Sequence, residues 1–162
     1  METLLELKAV KISEHYDVIA KMMHELHKHE YNLFDKTASW PDIETAYMRH
    51  VIQMQKEYDG HFLIAYVNNI PAGFIFGYIE EPDDSRIEVY NGKELYVSDG
   101  FVVNEFRRKG IYHKLNKELE NYYIDKGVKR ITRFTLIRNT GMRQLLEKEG
   151  YGVTRLLYEK WL

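Results

Sequence analysis

The chain has 162 residues, 44% of them hydrophobic and 14% aromatic, which is enough for one core without staples. Its formal net charge of −2 excludes nucleic-acid binding driven by overall charge, so cationic residues matter only where they cluster. It contains no cysteine, which excludes disulfides and covalent catalysis by a thiol.

Residues 5–12 alternate Leu5, Leu7, Val10 and Ile12 with Lys8 and Lys11 and read as a first strand. Ser13 follows as an N-cap, and Ile19, Met22, Met23, Leu26, Glu30 and Leu33 keep helical spacing, giving a helix from about Ser13 to Leu33. Trp40-Pro41-Asp42 breaks the chain. Asp42 is placed to cap a second helix carrying Ile43, Tyr47, Val51, Ile52 and Met54 and ending at Asp59-Gly60. His61 to Val67 is a strand, Asn68-Asn69 a turn, and Ile70 to Ile79 the returning strand.

Glu80-Glu81-Pro82-Asp83-Asp84 is an acidic loop, a solvated turn that could also attract a cationic partner. Arg86 to Tyr90, Asn91-Gly92 and Lys93 to Val103 have the form of a hairpin with a type I′ turn. Ile111, Leu115, Leu119 and Tyr122 fall on one face of a helix stopped by Gly127. Val128 to Ile137 is a strand of buried type, Thr140 to Glu149 a short helix ended by Gly150, and Val153 to Trp161 a final strand. No linker or composition shift divides the chain, so one domain over residues 1–162 is expected.

The most informative stretch is Val102-Val103-Asn104-Glu105-Phe106-Arg107-Arg108-Lys109-Gly110-Ile111-Tyr112. A strand, a cationic turn and a helix start follow each other directly. The amides of the first helical turn, at Ile111, Tyr112 and His113, have no partners within the helix and face that turn, where the helix dipole adds positive potential. Arg107, Arg108 and Lys109 bring full charges, and Gly110 lets the backbone approach a bulky anion such as a pyrophosphate. Upstream, Asp99 interrupts the apolar run Tyr96-Val97-Ser98-Asp99-Gly100-Phe101-Val102, where a charge must have a reason.

This segment resembles the acetyl-CoA-binding motif of the GNAT N-acetyltransferase superfamily, Arg/Gln-x-x-Gly-x-Gly/Ala after a strand. Arg107 and Gly110 fill the first and fourth positions, and Tyr112 departs from the small residue at the sixth. A second stretch, Asn139-Thr140-Gly141-Met142-Arg143-Gln144-Leu145-Leu146-Glu147-Lys148-Glu149-Gly150-Tyr151, resembles the family's Asn-x-x-Ala-x-x-Leu-Tyr-x-Lys-x-Gly-Phe. The resemblance covers residues 95–152 well and the N-terminal half by element order.

The resemblance implies an α/β (α+β mixed) GNAT fold, a central twisted mixed sheet with helices on both faces. It implies acetyl-CoA as cosubstrate, bound by the backbone of Phe101, Val102 and Val103 at a bulge where two parallel strands splay, by the turn from Arg107 to His113, and by Asn139. Asn139 is equally an ordinary helix cap beside Thr140. Tyr112 is tolerated in this reading because only its amide is needed. The acceptor is a primary amine of a small molecule or peptide, and direct transfer needs a base, for which Asp99 is the candidate; a structural Asp bonded to neighbouring amides is the other reading. Leu146 stands where the family places a proton-donating Tyr, so no general acid is named, and an acyl-CoA-binding module without activity is the alternative.

No metal is expected. His24, His27 and His29 with Glu25 and Glu30 lack metal-ligand spacing and read as a polar helix face. No wider basic stripe supports nucleic acid as partner, and neither a signal-peptide pattern nor a bilayer-spanning run is present, so a cytoplasmic protein without membrane partner is expected. The apolar Leu156, Leu157 and Trp161 allow pairing of the last strand across a homodimer or burial within one chain.

Overall fold

The computed structural model describes residues 4–81, 85, 87–89 and 92–162. Their elements run β1 (Leu5–Val10), a 3₁₀ turn (Ile12–Glu14), α1 (Tyr16–Tyr31), α2 (Trp40–Glu57), β2 (His61–Val67), β3 (Ile70–Glu80), β4 (Glu94–Val102), a second 3₁₀ turn (Asn104–Phe106), α3 (Ile111–Ile124), β5 (Ile131–Arg133) and α4 (Thr140–Lys148). The strands form one mixed sheet in the order β1-β2-β3-β4-β5, antiparallel throughout except for the parallel pair β4 and β5.

The helices divide the core in two. On one face, Ile19, Met22 and Met23 of α1 and Met48 and Val51 of α2 pack on Phe62, Ile64, Phe74 and Phe76. On the other, Ile111, Leu115, Leu119 and Tyr123 of α3 cover Leu63, Ile75, Leu95 and Val97. Each such side chain contributes roughly 1.5–3 kcal/mol on leaving water, which outweighs the modest helix propensities of these segments. Polar clasps set the layers: the Tyr123 hydroxyl lies 2.6 Å from the Asp59 carbonyl and 2.9 Å from that of Gly77, which share its one proton, and Gln55 bonds the Ile12 amide and the Val10 carbonyl, both at 2.8 Å.

Several local expectations are corrected. The segment from Ser13 opens as a 3₁₀ turn, and α1 starts only at Tyr16, with no side-chain cap at His15. In α2 the N-cap is Ser39 and not Asp42. Pro41 sits in the first turn, where its missing N–H costs nothing, and Ser39 Oγ donates to Asp42 at 2.5 Å. The strand expected at 128–137 is paired only at Ile131–Arg133, and its residues are half-buried. Ile87, Glu88 and Val89 carry no strand, so the hairpin is not formed there; Arg86, Tyr90 and Asn91, with the acidic stretch Pro82-Asp83-Asp84, lie outside the described residues. Val153 to Trp161 forms no strand either. Leu156, Leu157 and Trp161 are exposed, because no sheet edge pairs with that backbone.

Candidate active site

The sheet opens at one place. β4 and β5 pair through Leu95–Ile131, Tyr96–Thr132 and Val97–Arg133, and from Ser98 onward β4 has no strand partner on its β5 side among the described residues. Against β3, Val97 pairs with Gly77 and Asp99 with Phe76, so Ser98 is the extra residue of a β-bulge. The bulge thus lies upstream of Phe101–Val103, where it was expected. It changes the parity of the strand. Tyr96, Phe101 and Val103 face α1 and α2, whereas Val97 and Val102 face α3.

Two of the expected backbone contacts are partly engaged within the protein. The Val103 amide donates to the Ala72 carbonyl at 2.9 Å, and the Val102 carbonyl accepts from Arg107 Nε at 2.8 Å, keeping its second lone pair. Arg107 also lies over the Phe101 ring, 5.1 Å from its centroid, so this residue ties the turn to the strand end. Arg108 and Lys109 are exposed. The turn closes through left-handed backbone at Arg108 (φ +62°) and at Gly110 (φ +73°), which is the N-cap of α3. A Cβ placed on Gly110 would meet nothing within 4 Å, so the glycine answers the backbone angle and leaves open approach from outside. The amides of Ile111, Tyr112 and His113 begin the helix beside it.

Tyr112 turns its side chain away from this turn. The residue is 7% exposed, its hydroxyl bonds Arg133 of β5, and its ring lies under Gly100 of β4. His113 pairs through its side chain with Glu149, tying α3 to the end of α4. Asn139 is the N-cap of α4, accepting from the Met142 amide at 3.2 Å, and its side chain lies near enough to His29 to raise that imidazole slightly. His29 stands 6.5 Å from the Phe101 ring, so Phe101, Arg107, Asn139 and the end of α1 meet at the mouth of the opening. Burial, and then the positive charge of Arg107, hold the His29 imidazole below its usual pKa.

Asp99 lies on the α1–α2 side at the bulge and is 8% exposed. Tyr47 Oη of α2 donates to Oδ1, and Ser98 Oγ donates to Oδ2 at 2.7 Å. Burial pushes the carboxyl above the ordinary aspartate range, against the pull of these two donors and of His50. Glu30 of α1 is raised to about 7, by burial first and then by the negative charge of Asp99. Two carboxyls therefore share one partly dry corner, walled by Tyr47, Tyr96 and Tyr78, and burial raises the Tyr78 phenol to about 12. Carboxyls raised in this way bind protons more tightly than exposed ones. Glu94, the other buried acid of β4, lies outside this corner: it is paired with Arg130 at 3.1 Å, about 16 Å up the strand.

Sequence reading missed Tyr47, Ser98, Glu30 and Arg133 as members of this site. Tyr47 sits on the apolar face of its helix, and a phenol there needs a partner for its hydroxyl. Arg133 is a cation within a strand of buried type, the same signal that singled out Asp99. Leu146, at the position of the expected proton donor, is buried and apolar. The histidines of α1 have other employment: His27 Nε2 donates to the Ala38 carbonyl at 2.6 Å, and His24 stacks on Trp40 at 5.8 Å.

Residues 20–151 match the family model described as the acetyltransferase (GNAT) family. No curated protein matches the chain in sequence. Among solved structures, a mutant of a Bacillus halodurans protein superposes with a TM-score of 0.79 at 16% identity, covering 97% of this chain and 99% of that one. An aminoglycoside N-acetyltransferase in complex with CoA gives 0.71 at 15% identity, over 99% and 97% of the two chains. An aminoglycoside acetyltransferase from an uncultured soil metagenomic sample, in complex with sisomicin, gives 0.68 at 14% identity, over 98% and 95%. These likenesses concern the fold.

Proposed function

The chain belongs to the acetyltransferase (GNAT) family, and we propose that it transfers the acetyl group of acetyl-CoA directly to a primary amine of a small molecule or peptide. The observation that carries this reading is the opening between β4 and β5, with a cationic turn and a helix N-terminus at its mouth and a buried carboxyl at its base.

The residues fit acetyl-CoA as substrate. The β5 side of β4 from Ser98 to Val102 is open to a strand-like pantetheine arm. The amides of Ile111, Tyr112 and His113 with Arg108 and Lys109 suit a pyrophosphate, and Gly110 leaves room for it. Arg107 contributes charge while holding the strand end. Asn139 supports the arm from α4.

The acceptor enters from the α1–α2 side. Its ammonium meets Glu30 and Asp99, which favour a cation; a carboxyl raised by burial then takes a proton from it more readily than an exposed one. Asp99, oriented by Tyr47 and Ser98, is the base. Polyamines, amino sugars and lysine side chains share this chemistry.

The test is thiol release from acetyl-CoA with a panel of those three amine classes. Turnover with at least one, and acetylation of its nitrogen by mass spectrometry, is the expected result. Leu146 favours a second reading, an acyl-CoA-binding module without turnover. CoA binding by calorimetry with no thiol release from any amine would select it.

A further inference from the structure

The leaving thiolate needs a proton, and Leu146 cannot supply one. We propose that Tyr112 of α3 is the general acid of this chain, its hydroxyl held at the parting of β4 and β5 by Arg133. The proposal rests on the acetyl-transfer reading above.

Three observations place the group. The Tyr112 hydroxyl lies where a Cβ on Gly100 would come within 2.6 Å of it, and it bonds the guanidinium of Arg133, the last residue of β5. It therefore spans the two strands at the point where their pairing ends, beside the backbone left open for the pantetheine arm. Gly100 is what admits it, since any side chain there would occupy the same volume. Secondly, Arg133 can only donate, so the hydroxyl's own proton is directed elsewhere. Thirdly, Asp99 and Gly100 are consecutive on β4 but open to different helical layers: Asp99 is bonded from α2, and Gly100 is packed by α3. A base on one side of the strand and an acid on the other bracket a thioester lying along it.

The arrangement is rigid. Arg133 Nη1 donates to Asn116, which is fully buried, at 3.2 Å, and the guanidinium stands 5.6 Å from the rings of both Tyr112 and Tyr151. Asn116 and Tyr151 in turn each bond Glu120 at 2.8 Å. Arg133, the cation of this network, sits where a phenolate would form. Burial holds the Tyr112 phenol up, and Arg133 opposes that by its charge and its hydrogen bond.

In the transfer, Asp99 first passes the ammonium proton to solvent; the amine nitrogen then bonds the acetyl carbon and loses its second proton to Asp99 while the carbon–sulfur bond breaks. The sulfur keeps the bonding pair and takes the Tyr112 proton. The phenolate, paired with Arg133, recovers a proton from solvent as Asp99 releases one, so the products are the acetylated amine and free CoA thiol.

Tyr112→Phe is the direct test, read with the fastest amine of the panel. Its kcat should fall about a hundredfold with CoA affinity unchanged by calorimetry. Adding Leu146→Tyr, which restores a phenol from α4, should recover at least about tenfold of that loss. A folded Tyr112→Phe enzyme within about threefold of wild-type kcat overturns the proposal, and so does a loss that Leu146→Tyr does not recover. Should Tyr112→Phe not fold, Arg133→Lys decides, since it keeps the phenol: a fall of about tenfold in kcat at constant CoA affinity supports the acid, and unchanged kcat overturns it. Wild-type protein with no thiol release from any amine would instead refute the acetyl-transfer reading itself.

Discussion

Tyr47 of α2 donates a hydrogen bond to the buried carboxylate of Asp99 on β4, 52 residues further along the chain. This contact engages Oδ1 of Asp99 and joins α2 to β4. With the Ser98 hydroxyl on the other oxygen, the carboxylate is oriented from two sides.

Asp99→Asn keeps the shape of the site and removes the proposed base. Turnover of the best amine is expected to fall by about a hundredfold, with CoA affinity retained and partial recovery at higher pH, where free amine forms unaided. Because burial raises the Asp99 pKa, the acidic limb of wild-type kcat/KM should lie above the ordinary carboxylate range. A purely structural Asp would instead give lower melting temperature and lower activity together, without rescue by pH.

Glu30 sets a pH dependence of stability. Its pKa rises from 4.5 to about 7 on folding, so the folded state binds this proton more tightly than the unfolded chain. The contribution is present below about pH 4.5 and is lost as pH rises through about 7. Glu30→Gln should flatten the fall of melting temperature between those values. Thermal scans of both proteins that run parallel across this window would show that Glu30 is not held in the dry corner.

The three cations of the turn should separate. Lys109→Ala and Arg108→Ala are expected to weaken CoA about tenfold each, near 1.4 kcal/mol, without changing the melting temperature. Arg107→Ala also releases the Val102 carbonyl and the Phe101 ring, so it should lower both affinity and stability. Calorimetry at two salt concentrations, beside thermal melts, tests the division; equal CoA affinity of Lys109→Ala and wild type removes the phosphate role.

Gly110→Ala isolates the backbone. The added methyl meets no protein atom within 4 Å, so its penalty is the left-handed conformation alone, about 1–2 kcal/mol. A fall in melting temperature of roughly 2–8 °C and weaker CoA binding are expected. An unchanged melting temperature would mean that the turn relaxes freely.

Gly100→Ala tests a different constraint. Its Cβ would stand 2.6 Å from the Tyr112 hydroxyl, so the ring must move and the Arg133 bond must lengthen. Overpacking of this kind costs about 1–3 kcal/mol. Circular dichroism melts should show it, and a variant as stable as wild type would place Tyr112 elsewhere.

Much of this molecule was determined by short-range pattern in the sequence. The antiparallel pair at His61–Val67 and Ile70–Glu80, the helix after Gly110 and the cap at Asn139 follow from alternation, 3.6-residue spacing and local hydrogen bonding, which need only neighbouring residues. Asp99 was legible as a charge inside an apolar strand, and Arg107 to Lys109 as a cationic turn ahead of a helix. The tertiary structure decided the rest. Sheet pairing is made between segments far apart in sequence, so periodicity could not tell that β5 would pair through only three residues or that Val153 to Trp161 would find no edge. Nor could it locate the bulge at Ser98, which depends on the register of β3 against β4 and sends Asp99 toward Tyr47. Tyr112, a mismatch when read along the motif, turned inward because Gly100 and Arg133, distant in sequence, together make the one place its ring and hydroxyl fit.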